Sequence, residues 1–127
     1  MKLVFDTSIL IDKLRGGSQW DDFLEGVDED DIEIYLPAVV AFELFSGKSS
    51  ADPQIFRKIV NITKLFQLVD LTWGIGKRAG EIYRDDISTL QVPDYIVAAT
   101  ALEIGASVVT LNKKHFSKIA GLFIYPL

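Results

Sequence analysis

The chain has 127 residues, a formal net charge of −5, and 49% hydrophobic and 24% charged residues, which fits one folded domain spanning residues 1–127 and excludes a disordered chain. It has no Cys, so a disulfide framework and a thiolate zinc site are excluded, and no apolar run approaches the roughly 18 residues of a membrane span. The N-terminus carries no basic region followed by an apolar block, which points to a cytoplasmic protein, and the negative charge weighs against nonspecific phosphate-driven binding.

Lys2–Phe5 is a β-branched and aromatic run, the pattern of a buried strand. Thr7 or Ser8 can cap a helix over residues 9–14, which Gly16 and Gly17 end. "SQWDDFLEGV" is a short amphipathic helix capped by Ser18, with Trp20, Phe23 and Leu24 on one face. "DEDD" is a solvated turn. "IEIYL" alternates with period two, a second strand, and Pro37 opens the helix "AVVAFELFSG", which stops at Gly47. Asp52 caps and Pro53 starts the helix "PQIFRKIVNITKLF", with Ile55, Ile59, Ile62 and Phe66 at helical spacing. "QLVDL" is a third strand, and Thr72 caps a helix over residues 73–86. "STLQVP" breaks the chain before the helix "DYIVAATALEIG", which ends at Gly105. "SVVTL" is a fourth strand, "KHFSKI" a helical turn, and "LFIY" a short last strand.

Strands alternating with helices indicate an α/β domain with a mainly parallel sheet. In such sheets ligands bind beyond the carboxyl ends of the strands, where the strand order reverses. Asp6 sits at such an end, and a charge there costs several kcal/mol unless compensated. Two other carboxylates also occupy apolar surroundings. Glu43 shares its helix face with Val39 and Val40, and Asp94 stands on the first turn of its helix with Val97 and Ala98 following. Taken singly, Asp94 could serve the helix dipole and Glu43 could pair with a buried base. Taken together, and without basic partners on those faces, they call for a cation. All-oxygen ligands suit Mg²⁺ or Mn²⁺, and such an ion can activate a water and steady charge on a phosphoryl group.

"VFDTSILI", "LPAVVAFELFSG", "VPDYIVAATALEIGASVVTLNKKHF" and "IAGLFIYP" resemble, in order, the successive motifs of PIN-domain ribonucleases, and among them the VapC-type toxins of toxin–antitoxin pairs. The resemblance covers nearly the whole chain. It implies a three-layer α/β/α sandwich with strand order 3-2-1-4-5 and Mg²⁺- or Mn²⁺-dependent hydrolysis of RNA. It also implies a VapB-like antitoxin as partner and a homodimer. On this likeness the metal-holding acids fall on Asp6, Glu43 and Asp94, with Ser8 supporting the first.

The fourth position departs from the pattern. Relatives often carry an acid after the fourth strand, where this chain reads "TLNKKHF", leaving Asn112 or His115 to fill the place. Asn112 is the better oxygen donor, and His115 fits a rim position. Lys113, Lys114, His115 and Lys118 are possible RNA contacts or simply a solvated basic turn. The incomplete fourth position also admits a catalytically weakened PIN-like domain that binds RNA or a protein. A haloacid-dehalogenase phosphatase is disfavoured because position 8 is Ser where a second Asp is needed. A phosphoryl receiver is disfavoured because no acidic pair accompanies Asp70.

Overall fold

The computed structural model describes residues 1–86 and 90–127. Among these, β1 (Lys2–Phe5), β2 (Glu33–Pro37), β3 (Gln67–Val69) and β4 (Ser107–Val109) form one parallel sheet in the order β3-β2-β1-β4. Leu3, Val4 and Phe5 are all fully buried. Side chains alternate along a strand, so helices must cover both faces of the sheet at β1, which makes it the axis of the domain. The helices are α1 (Thr7–Leu14), α2 (Gln19–Glu25), α3 (Ala38–Ser46), α4 (Pro53–Thr63), α5 (Trp73–Asp85), α6 (Val92–Ile104) and the single turn α7 (Lys113–Phe116).

The chain steps from β1 outward through β2 to β3, then returns to place β4 on the other side of β1. The order therefore reverses between β1 and β4, with Val4 opposite Val108 and Phe5 opposite Val109. Parallel sheets open a crevice at such a point, beyond the carboxyl ends of the two strands. The residues that follow each strand, Asp6 and Thr110, flank it.

The expected fifth strand is reduced to one parallel bridge between Val108 and Ile124. The Val108 amide donates to the Phe123 carbonyl at 2.9 Å and the Tyr125 amide to the Val108 carbonyl at 2.8 Å. The next residue is Pro126, which has no N–H to continue the ladder.

The helix ends follow the sequence with three corrections, the first that α4 stops at Thr63 and leaves the expected helical Phe66 in the turn before β3. Asp52 accepts from the amides of Gln54 and Ile55, Thr72 from that of Ile75, and Gly105 ends α6 in the left-handed region at φ 70°. At α1, however, the cap is Asp6 and not Thr7 or Ser8, for the Asp6 carboxylate accepts the Ser8 amide. Ser18 occupies the capping position of α2 without capping it. Its hydroxyl turns to Asp22, and Asp12 accepts the Gln19 amide instead. Ser88 and Thr89, in the expected break before α6, lie outside the described residues.

Trp20 is buried, as its place on the apolar face of α2 predicts. It packs with Phe5, Phe23 and Phe66 at ring separations of 5.6–5.9 Å, and Phe5 meets both phenylalanines at 5.1 Å. Such pairs add about 0.5–1.5 kcal/mol each beyond area burial, so this cluster fixes the carboxyl end of β1 against α2 and the turn between α4 and β3. Phe42, Phe45 and Phe56 are exposed, the last two in contact at 5.7 Å.

Candidate active site

Asp6 follows Phe5 directly and is still tied to the sheet, its amide donating to the Val109 carbonyl at 3.3 Å. Only 3% of the residue is exposed. Both carboxylate oxygens are engaged. Oδ1 accepts from the Ser8 amide at 3.0 Å and from the Ser8 hydroxyl at 2.6 Å, and Oδ2 accepts from the Thr110 hydroxyl at 2.5 Å.

The direction of these hydroxyl bonds is set from outside. The Leu111 amide donates to Ser8 Oγ at 2.9 Å, and the Asn112 amide donates to Thr110 Oγ1 at 2.9 Å. A hydroxyl has one proton. With a backbone N–H pointing at each oxygen, both hydroxyls are turned to give that proton to Asp6. Two successive amides after β4 thus act on the carboxylate through two side chains. Charge-assisted bonds of this kind are stronger than neutral ones and offset part of the cost of burial.

Glu43 stands on α3, which begins immediately after β2. It is half-buried beside the buried Val40 and Leu44. Among the described residues its carboxylate has no hydrogen bond and no ion pair. Asp94 is at the third position of α6, where Oδ2 accepts the Gln91 amide at 3.2 Å, so the helix-start role considered for it is real. None of the ion pairs among the described residues, Lys13–Asp21, Lys77–Glu81, Arg78–Glu103 and Arg84–Asp85, involves the three acids.

The three carboxylates lie within electrostatic reach of one another. Burial pushes the Glu43 carboxyl up to about 7, and the charges of Asp94 and Asp6 add to the rise. Burial likewise raises Asp6, the hydrogen bonds from Ser8 and Thr110 pull it back, and the Asp94 charge raises it again. Among the described residues no three of His, Cys, Asp and Glu stand close enough to grip an ion as they are. The donor chemistry nevertheless fits a hard divalent cation, since all the donors are oxygens and no basic side chain compensates their charge.

Asn112 precedes α7 and is exposed, and its side chain does not cap the helix. Its link to the acids runs through its backbone amide and Thr110. His115, Lys114 and Lys118 are exposed, and the Lys113 ammonium donates to the Leu127 carbonyl at 3.3 Å. Thr110, fully buried, is the residue that sequence reasoning passed over. The signal was a hydroxyl closing the otherwise apolar run "SVVTL".

Compared with known families, residues 3–122 match the PIN domain. The chain belongs to the PIN domain family. Among the curated PIN relatives it resembles are Ribonuclease VapC19 of Mycobacterium tuberculosis, 29% identical over 116 residues that span 91% of this chain and 92% of that protein. Ribonuclease VapC1 of Rickettsia felis is 28% identical over 134 residues, spanning 96% of this chain and 93% of that one. Solved structures of the same fold include VapBC-1 from nontypeable Haemophilus influenzae, with TM-score 0.80, 19% identity and coverage of 98% and 97%. DNA-bound VapBC from Salmonella typhimurium gives TM-score 0.79 at 19% identity, again covering 98% and 97%.

Proposed function

We propose that this PIN domain is a metal-dependent endoribonuclease, the toxin of a toxin–antitoxin pair, and that Asp6, Glu43 and Asp94 hold its ion. The observation that carries this reading is the trio of mutually repelling carboxylates, one at the end of β1, one on α3 and one at the start of α6, without a basic partner, in a chain whose relatives are named ribonucleases. When bound, Mg²⁺ or Mn²⁺ supplies an activated water and neutralises charge developing on the phosphodiester.

The chain's own residues do the rest. Ser8 and Thr110 hold Asp6 in one orientation, and α6 holds Asp94 by the Gln91 amide. Glu43, whose charge burial and the neighbouring Asp94 and Asp6 disfavour in the metal-free site, regains its ionised form when a cation joins the three carboxylates. Asn112 adds a neutral oxygen donor at the rim, and Lys114, His115 and Lys118 are free to meet RNA phosphates.

The partner is a VapB-like antitoxin, as in the VapBC complexes that share the fold, and the toxin is a homodimer acting in the cytoplasm. Among the described residues no helix is long and apolar enough to cross a membrane.

The test is cleavage of a labelled RNA with Mg²⁺ or Mn²⁺ and with EDTA. Metal-dependent cleavage that Asp94→Asn reduces by orders of magnitude supports the reading. An Asp94→Asn protein that cleaves like wild type, or cleavage unaffected by EDTA, refutes it.

A further inference from the structure

An ionised carboxylate offers about four lone-pair positions, two on each oxygen. At Asp6 the Ser8 amide and the Ser8 hydroxyl both point at Oδ1, and the Thr110 hydroxyl points at Oδ2. The single open position is therefore on Oδ2. Neither hydroxyl can withdraw at little cost, because the Leu111 and Asn112 amides fix the direction in which each donates.

We infer that Ser8 is a specificity-determining residue: by filling Oδ1 it confines Asp6 to one-oxygen ligation and makes the site select a small octahedral cation over Ca²⁺. The inference rests on the acid site proposed above. Mg²⁺ and Mn²⁺ accept single oxygens at short range and keep much of their water. Ca²⁺ takes six to eight oxygens at longer range and gains from carboxylates that bind through both oxygens. Two-oxygen binding needs one free position on each oxygen, and Oδ1 has none. Thr110 has a different part. Removing it opens a second position on Oδ2 but leaves Oδ1 filled, so Asp6 stays a one-oxygen ligand that is merely less well held.

The two hydroxyls thus make separable predictions. The experiment is calorimetric titration of the full chain, freed of metal by chelation, with MnCl₂ and separately with CaCl₂. The wild type binds Mn²⁺ more tightly than Ca²⁺. Ser8→Ala shifts that preference toward Ca²⁺ by about tenfold or more, the scale on which groups supporting a ligand act. Ser8→Thr restores the wild-type ratio. Thr110→Val weakens both ions alike, by about 10–100-fold, with the ratio kept.

Ser8→Ala retains the backbone amide that caps α1 against Asp6, and far-UV circular dichroism confirms its fold. Should that variant not fold, Ser8→Cys, whose thiol is a weak donor, reads the same ratio. A position-8 variant that weakens both ions equally overturns the inference while leaving the acid site standing. A wild-type chain that binds neither ion overturns the acid site and the inference with it.

Discussion

Neutralising Glu43 should make the metal-free protein more stable, and only at a pH where the wild-type carboxyl is ionised. The folded carboxyl titrates near 7 against an ordinary value of 4.5. Between those limits the folded state keeps a proton that the unfolded chain has released, so wild-type stability falls as pH rises from about 4.5 to about 7 and levels off above. At about 1.36 kcal/mol per tenfold change in proton affinity, the ceiling on this loss is roughly 3.4 kcal/mol. Glu43 is only half-buried, and solvent screens the charges of its neighbours, so roughly 1–2 kcal/mol is the working figure. Glu43→Gln removes the penalty with little change in shape. In EDTA at pH 8 its melting temperature should exceed that of wild type by about 3–8 °C, from the usual relation for a domain of this size. At pH 4 the two should melt within about a degree of each other, since Glu43 is protonated in both states of the wild type. Urea denaturation at the two pH values measures the same difference. A Gln variant less stable than wild type at pH 8, or an equal offset at both pH values, would refute the claim that uncompensated charge strains this site.

Metal should act in the opposite sense. Mg²⁺ or Mn²⁺ at a hundredfold excess over Kd should stabilise the wild type at pH 8 by about 2.7 kcal/mol, read as a higher melting temperature, and Na⁺ at matched ionic strength should not. The gain should shrink as pH falls through 7, where Glu43 takes up its proton. At the rim, Asn112→Asp should tighten divalent binding and Asn112→Ala weaken binding or cleavage, with His115→Ala changing metal affinity little; calorimetry showing the reverse assigns the fourth position to His115. Trp20→Ala should cost about 3–5 kcal/mol in urea denaturation, the usual loss for a large aromatic in a packed core.

The sheet and the order of its helices were legible because the strand runs and helix stops are local. "LVF" is apolar throughout because β1 is covered on both faces, and Gly105 stands where a left-handed residue is required. The three acids stood out because each interrupts an apolar face. The cap of α1 was misread because Asp6, Thr7 and Ser8 are all capping residue types, and the choice among them depends on what β4 brings to Asp6. Thr110 was passed over for the same reason. A threonine at a strand end is unremarkable until its partner, more than a hundred residues earlier in the chain, is known. Trp20 was legible as a core residue from the apolar face it shares with Phe23, while its partners Phe5 and Phe66 come from elements distant in the chain.

The separation between Asp6 and the groups that orient it has a bearing on synthesis. Thr110 lies 104 positions after Asp6, and Leu111 lies 103 after Ser8. Chains emerge from the ribosome N-terminus first, at about 5–20 residues per second, so Asp6 is made several seconds before either donor exists. Until β4 adds itself beside β1, the first carboxylate has only the Ser8 side of its support. The first acid of such a site is fully oriented only after the last fifth of the chain has docked. An antitoxin supplied in the same place has that interval in which to be ready.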